Sequence, residues 1–197
     1  MEPLNPEPRT LNPVYLGFDT ATPYLSLALW SPERGVVSSF SETIGRDHAK
    51  RIIIELDNLF QGVNISPSQL AGMGVGVGPG SYTGVRVGIA TAKALAKGLN
   101  VPLVGVSTLA AMAHNVLKDG EQGIVAMDAR RGYVYAGLFE KKGEEVLEHF
   151  PSQKIELTKL RERYPSHVYF QDGCPNASYI AQCVYKNKAL PAQAVYL

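Results

Sequence analysis

The stretch Gly72-Met73-Gly74-Val75-Gly76-Val77-Gly78-Pro79-Gly80 constrains the fold more than any other part of the chain. Its glycines alternate with larger residues, and in a strand successive side chains point to opposite faces. One face of such a strand is bare. Glycine weakens a strand, and close approach of another backbone or of a ligand is its usual compensation. The pattern predicts a helix packed tightly on the bare face, or a ligand beside it. Val14 to Phe18 reads as a strand ended by the polar turn Asp19-Thr20-Ala21-Thr22-Pro23, and Tyr24 to Trp30 and Val36 to Ser41 complete a three-stranded antiparallel meander. Val101 to Val106 is a further strand. The same logic then recurs: Ile124 to Met127, the turn Asp128-Ala129-Arg130-Arg131-Gly132, Tyr133 to Phe139, and Glu145 to Phe150. A helix near Leu157 to Tyr164, a strand near His167 to Phe170 and a helix near Ala177 to Tyr185 close the chain. Antiparallel meanders feeding helical crossovers make the fold class α/β.

Two helices carry more information than the rest. From Asp47 to Phe60, Ala49, Ile52, Ile53, Leu56, Leu59 and Phe60 fall on one arc at 100° per residue, and Ile54 falls outside it as a candidate partner contact. From Gly84 to Lys97, with Thr83 as N-cap, the polar residues form a narrow stripe of Arg86, Lys93 and Lys97. One flank carries Val85, Ile89, Ala92 and Ala96, and the opposite flank Val87, Ala94 and Leu95. A helix apolar on both flanks needs two covers. One is the sheet; the other is a neighbouring helix, another lobe or another protein. Small residues at Gly84, Gly88, Ala92 and Ala96 permit close helix–helix contact. Ser107 caps a third helix running to about Lys118.

Composition removes several functions. A formal net charge of +1 argues against holding nucleic acid by bulk electrostatics, although it permits a local basic patch. Two cysteines, Cys174 and Cys183, cannot make a four-cysteine zinc site, and read as free thiols in a reducing compartment. Residues 1–13 carry four prolines and no apolar segment of signal-peptide length, and no apolar run approaches a membrane span. The chain reads as a cytoplasmic protein, off the membrane, with a disordered Pro-rich tail over 1–13.

The familiar catalytic motifs fail. After Gly80 the chain reads Ser81-Tyr82-Thr83, without the Lys of a phosphate loop. The dinucleotide glycine pattern fails in every register of this region. A nucleophile elbow at Ser81 would need glycines where Pro79 and Thr83 stand. His48, His114, His149 and His167 never pair at helical metal-site spacing, so no metal ligand is nominated. Two acidic turns remain. Asp19, Thr20 and Thr22 can present a carboxylate to a metal and hydroxyls to a phosphate, with Asp128 facing them across a cleft. Equally, Asp and Thr occupy turns because their side chains bond local backbone. The loop Gly78 to Thr83 either binds an anion at the N-terminus of the following helix or is a rigid turn that aims it.

Gly78-Pro79-Gly80-Ser81-Tyr82-Thr83-Gly84-Val85-Arg86-Val87-Gly88 resembles the GPGS(F/Y)TGxRxG segment of the bacterial TsaB (YeaZ) family. So do Asp19-Thr20-Ala21-Thr22, Gly105-Val106-Ser107-Thr108-Leu109, Asp128-Ala129-Arg130 followed by Tyr133-Val134-Tyr135, and the terminal strand motif Val195-Tyr196-Leu197. The match is good from about Val14 to Phe139 and thin thereafter. The resemblance implies an actin-like, sugar-kinase and Hsp70-type ATPase fold of two related lobes, each a mixed sheet with flanking helices, here 14–106 and a smaller 107–197. It implies a role in adding a threonylcarbamoyl group to adenosine 37 of tRNAs reading ANN codons. The family does not perform the transfer; it pairs with a catalytic TsaD-type paralogue that carries metal-binding histidines, and a TsaE-type ATPase joins. This chain would need no cofactor, with ATP and divalent metal on the partner subunits. It would be a homodimer when alone and would meet tRNA only through the complex. Asp19, Thr20, Thr22 and Asp128 would be a vestigial nucleotide site. Ile52, Ile53, Leu56, Val85, Gly88, Ile89, Ala92 and Ala96, on the two helices through which the family pairs, would form the partner interface. The alternative is an independent ATP-using enzyme of the sugar-kinase type, with Asp19 and Asp128 holding magnesium and phosphate.

Overall fold

A computed structural model describes residues 13–45, 47–188 and 190–196. The expected disordered tail, 1–13, lies outside the described residues apart from Pro13. The first meander forms as read: β1 (Val14–Asp19), β2 (Tyr24–Ser31) and β3 (Gly35–Thr43) pair antiparallel in sequence. β4 (Leu70–Gly76) joins β1 in parallel, and β5 (Leu103–Val106) joins β4, giving the order β3-β2-β1-β4-β5. The second sheet repeats the scheme. β6 (Gln122–Asp128), β7 (Tyr133–Lys142) and β8 (Glu145–Glu156) are antiparallel, and β9 (Val168–Gln171) pairs in parallel with β6. The fold is therefore two related mixed sheets with flanking helices, the actin-like arrangement. β8 runs to Glu156 rather than stopping near Phe150. It is an edge strand, where Pro151 leaves no inner ladder bond unmade.

Each face of the first sheet has its own cover. Leu16, Phe18, Met73 and Val75 pack under α1 (His48–Gln61) and α2 (Tyr82–Leu99) in the largest core. The opposite face is the bare one, and the helix it demands is α5 (Ala177–Tyr185), about a hundred residues downstream. A Cβ on Gly74 would lie 2.8 Å from the Ile180 carbonyl oxygen, and one on Gly72 would lie 2.7 Å from Val184 Cγ1. On the neighbouring strand, a Cβ on Gly17 would overlap the Ala177 carbonyl. The glycines let α5 sit against sheet backbone.

The helices are exchanged between the sheets. α3 (Thr108–Val116) leaves β5 and packs on the second sheet through Leu109, Met112 and Ala113 against Val125, Met127 and Phe139. α5 leaves β9 and packs on the first. α3 and α5 meet between the sheets around Ala111, Tyr179 and Ile180. A single cut at 106/107 separates the sheets but not the helices. The short α4 (Leu157–Arg163) covers the other face of the second sheet through Leu160. No helix of the described residues is long and apolar enough to cross a membrane.

Three local readings change. α1 buries His48, Ile52, Glu55, Leu56, Leu59 and Phe60, while Ala49 and Ile53 are exposed. Two polar anchors turn the helix this way. His48 Nε2 lies 3.0 Å from the Tyr24 carbonyl, and Arg51 donates to Glu55 at 2.6 and 2.9 Å. The N-cap of α2 is Ser81 rather than Thr83, its hydroxyl accepting from the Gly84 amide at 3.3 Å. The terminal motif is not a strand among the described residues. Leu190 bridges Gly105, the Val195 amide donates to the Val77 carbonyl at 2.8 Å, and Leu197 lies outside them.

Candidate functional site

Asp19 ends β1 with no exposed surface. One carboxylate oxygen accepts from the Ala21 amide at 2.6 Å and the other from the Thr108 hydroxyl at 2.7 Å. Thr108 opens α3, and its hydroxyl also accepts from the Gly78 amide at 3.1 Å. Burial pushes the Asp19 carboxyl above its ordinary range; the bonds from Thr108 and Ala21, and the nearby His48, pull it back in part. A Cβ at Gly76 would overlap this carboxylate, so the last glycine of the bare face makes room for Asp19.

The rest of the turn is closed in the same way. The Thr20 hydroxyl donates to the Gly84 carbonyl at 2.7 Å, and the Thr22 hydroxyl accepts from the Tyr24 amide at 3.1 Å. Gly80, Gly84 and Gly88 exist for this contact. Side chains there would overlap the Ala21 carbonyl, the Thr20 carbonyl and the Thr20 hydroxyl respectively. Gly84 and Gly88 of the small-residue series therefore face the turn, while Ala92 and Ala96 are buried in the core that the sheet shares with α1. The loop Gly78 to Thr83 is tied into the fold by two backbone bonds, in keeping with the rigid-turn reading. The Ser81 amide donates to the Ala21 carbonyl at 2.7 Å, and the Thr108 amide donates to the Gly78 carbonyl at 2.9 Å. As folded, this turn does not fit a nucleotide phosphate or a metal, because its carboxylate and hydroxyls are buried and bonded within the protein.

Asp128 stands elsewhere. It is exposed at the β6–β7 turn, where its carboxylate accepts from the Arg130 amide at 2.8 Å and its own amide donates to Asp172 at 3.0 Å. No hydrogen bond among the described residues joins it to Asp19, Thr20 or Thr22. Local backbone bonds hold Asp19, Thr22 and Asp128, and long-range bonds to Gly84 and Thr108 close Thr20 and the second oxygen of Asp19. Among the described residues no three His, Cys, Asp or Glu side chains gather as a metal site. Both cysteines are free.

The nominated interface changes more. Ile52, Leu56, Val85, Gly88, Ile89, Ala92 and Ala96 are buried in the chain's own core, Ala92 with no exposed surface. The sheet uses the flank they form. Ile53 alone of the eight is open, at 55% exposure, beside Ile54 at 55%. Arg86, Lys93 and Lys97 lie exposed on α2. Arg86 sits over the exposed Tyr82 ring at 4.1 Å and donates to the Tyr196 hydroxyl at 3.2 Å.

Two features escaped the sequence. Thr108 was visible only as part of a motif, and nothing local announces that it closes on Asp19 across 89 residues. A groove of about 350 Å³ opens between β2, β3 and the start of α5, lined by Ser26, Ser39, Ser41, Asn115, Cys174 and Ser178 among others. The serines of β3 alternate toward it, which is the one signal available. Cys174 Sγ lies 2.9 Å from Ser41 Oγ, and burial raises its thiol against the opposing pull of Ser41 and Ser26. A thiol held protonated is a poor nucleophile.

The family model for TsaD, tRNA N6-adenosine threonylcarbamoyltransferase, matches residues 28–183. The tRNA threonylcarbamoyladenosine biosynthesis protein TsaB of Escherichia coli is 38% identical over 128 residues, 64% of this chain and 54% of the relative. The Bacillus subtilis protein of the same name is 34% identical over 151 residues, 75% of this chain and 64% of the relative. The chain thus matches little more than half to under two thirds of the length of these relatives. Among solved structures, YeaZ from Pseudomonas aeruginosa superposes with a TM-score of 0.80 at 25% identity, covering 94% of this chain and all of that one. The chain belongs to the TsaD family that this model defines and, within it, to the TsaB (YeaZ) group.

Proposed function

We propose that the chain serves the formation of threonylcarbamoyladenosine at position 37 of tRNAs reading ANN codons, as a non-catalytic subunit that binds and activates a TsaD-type catalytic paralogue. A TsaE-type ATPase joins the pair, ATP and divalent metal act on those subunits, and tRNA meets this chain through the complex. Alone, the chain is a cytoplasmic homodimer. The observation that carries the reading is the closed first turn. Its carboxylate and hydroxyls are spent on Thr108, Ala21, Gly84 and Tyr24, so the chemistry belongs on another subunit.

Partner contact then falls to the outer surface of α1 and α2. Ile53, Ile54 and Tyr82 are large apolar side chains left open there. An Ile53→Glu variant should fold, because the site is already wet, yet fail to co-purify with the paralogue. An Ala92→Glu variant should unfold, because it buries a charge without a partner at a cost of several kcal/mol. Circular dichroism and co-purification read both, and an Ile53→Glu protein retained by the paralogue at wild-type yield places the contact elsewhere.

The role itself is tested by nucleoside mass spectrometry of bulk tRNA after depletion of the protein in its host. Loss of threonylcarbamoyladenosine, restored by the wild-type gene, is expected. An unchanged level with depletion confirmed overturns the reading. Steady ATP turnover by the purified chain alone would favour the kinase-type enzyme instead.

A further inference from the structure

His114 is nine-tenths buried on α3, where that helix meets α5 between the two sheets. Its ring stacks on Tyr179 at 4.7 Å between centroids. Its tautomer follows from its neighbour. Asn176 is the N-cap of α5, and its Oδ1 accepts from the Ser178 amide at 3.0 Å, the Tyr179 amide at 3.1 Å and the Ser178 hydroxyl at 2.7 Å. An amide side chain has one oxygen and one NH2. With the oxygen committed to the cap, the NH2 faces His114 Nδ1 at 3.1 Å, and Nδ1 must accept. The ring is therefore neutral, with its proton on Nε2, 3.5 Å from Glu144 Oε2.

The charged and titratable groups around the ring come from both sides. Glu144 and Lys141 belong to the β7–β8 hairpin, and Lys141 donates to the His114 carbonyl at 2.7 Å. Tyr179 and Lys186 come from α5 and its end, Lys186 donating to the Glu144 carbonyl at 3.4 Å. Burial and Lys141 disfavour the imidazolium more than Glu144 favours it.

We infer that His114, Asn176 and the first turn of α5 form an acid-sensitive lock that seats α5 on the glycine face of the first sheet. A proton added at Nδ1 points at the Asn176 NH2, donor against donor. Relief requires the amide to flip or withdraw, and either movement removes the oxygen that caps α5. Acid thus loosens the helix that ties the two halves together.

The experiment is hydrogen exchange of the Tyr179 and Ile180 amides from pH 7.5 to 5, with His114→Gln as the non-titrating reference. Glutamine keeps an acceptor for Asn176. An unfolded state charges its histidine near pH 6.5, whereas the native ring resists, so stability is lost as pH falls below that value. The wild-type exchange rate, divided by that of the reference, should rise up to about tenfold per pH unit below 6.5. Asn176→Asp supplies the sharper arm and decides the matter if the reference fails to fold. Aspartate keeps the capping oxygen and offers its second oxygen to Nδ1–H, so acid should now protect α5, and the His114 ring should titrate higher by NMR. A wild-type ratio that stays flat, or an Asn176→Asp protein that still loosens in acid, overturns the proposal.

Discussion

Asp19 leaves β1 and Asp128 leaves β6, each at the end of a strand paired antiparallel on one side and parallel on the other. Each aspartate bonds an amide two residues on, Ala21 in one turn and Arg130 in the other. There the likeness ends. After β4 the chain turns through Gly80 into α2, which stays on its own sheet, and Gly80 with the helix's Gly84 and Gly88 lies across the first turn. After β9 the equivalent helix, α5, departs to the other sheet, and the second turn, with Asp172 and the Leu157 amide bonded to it, stays uncovered by a helix. The destination of one crossover helix decides whether an acidic turn is sealed or open. Identical local chemistry gives a buried strut in one lobe and a solvated cap in the other.

Glycine substitutions should separate the two turns most widely. Gly84→Ala would ordinarily favour a helix, yet here the methyl meets the Thr20 carbonyl, which is backbone and cannot swing aside. The expected loss is about 3 kcal/mol, from overpacking. Gly132→Ala, in the open turn, meets nothing within 4 Å and carries only the strain of φ +80°. Its expected loss is about 1 kcal/mol. Thermal unfolding reads both, at roughly 2–4 °C per kcal/mol for a chain of this size. Equal losses would mean that α2 does not seal the first turn.

Thr108→Val comes next. It removes the donor to Asp19 and the acceptor for the Gly78 amide without changing shape, and should cost about 2 kcal/mol. The carboxyl, already raised, should titrate higher still. A carboxyl with a raised native value binds its proton more readily folded than unfolded. It therefore lowers stability as pH rises through the window from its ordinary value to its native one, and that penalty is relieved in acid. The variant should widen the window upward, visible by NMR titration of Asp19.

These contrasts mark what the sequence could carry. The alternation Gly72, Gly74, Gly76 announced a close cover, because an empty strand face has few other uses. Which helix supplies it was not legible, since α5 lies a hundred residues away and its own pattern does not name a target. The turn Asp19-Thr20-Ala21-Thr22 and the turn at Asp128 read alike because both satisfy the same local rule, and burial is set by what comes back over them. Ala92 was legible as apolar and helical but not as inward-facing, because α2 is apolar on both flanks and only the sheet breaks the tie. On α1 the arc was one step out, as the Arg51–Glu55 pair lets a carboxylate turn inward in place of Ile53.

The smallest expected effect is the most informative about function. Asp128→Ala removes the acceptor for the Arg130 amide in a turn where Arg130 and Arg131 already adopt φ of 66° and 56°. The turn is open, so water takes over the lost bond, and the cost should be about 0.5–1 kcal/mol. That corresponds to a melting shift of a few degrees at most. If the open turn is no more than a solvated cap, tRNA from a host carrying only this variant should contain its usual threonylcarbamoyladenosine. Normal melting together with lost modification would show that the exposed carboxylate does work that the buried one cannot. The second turn would then hold the chemistry that the first has closed off.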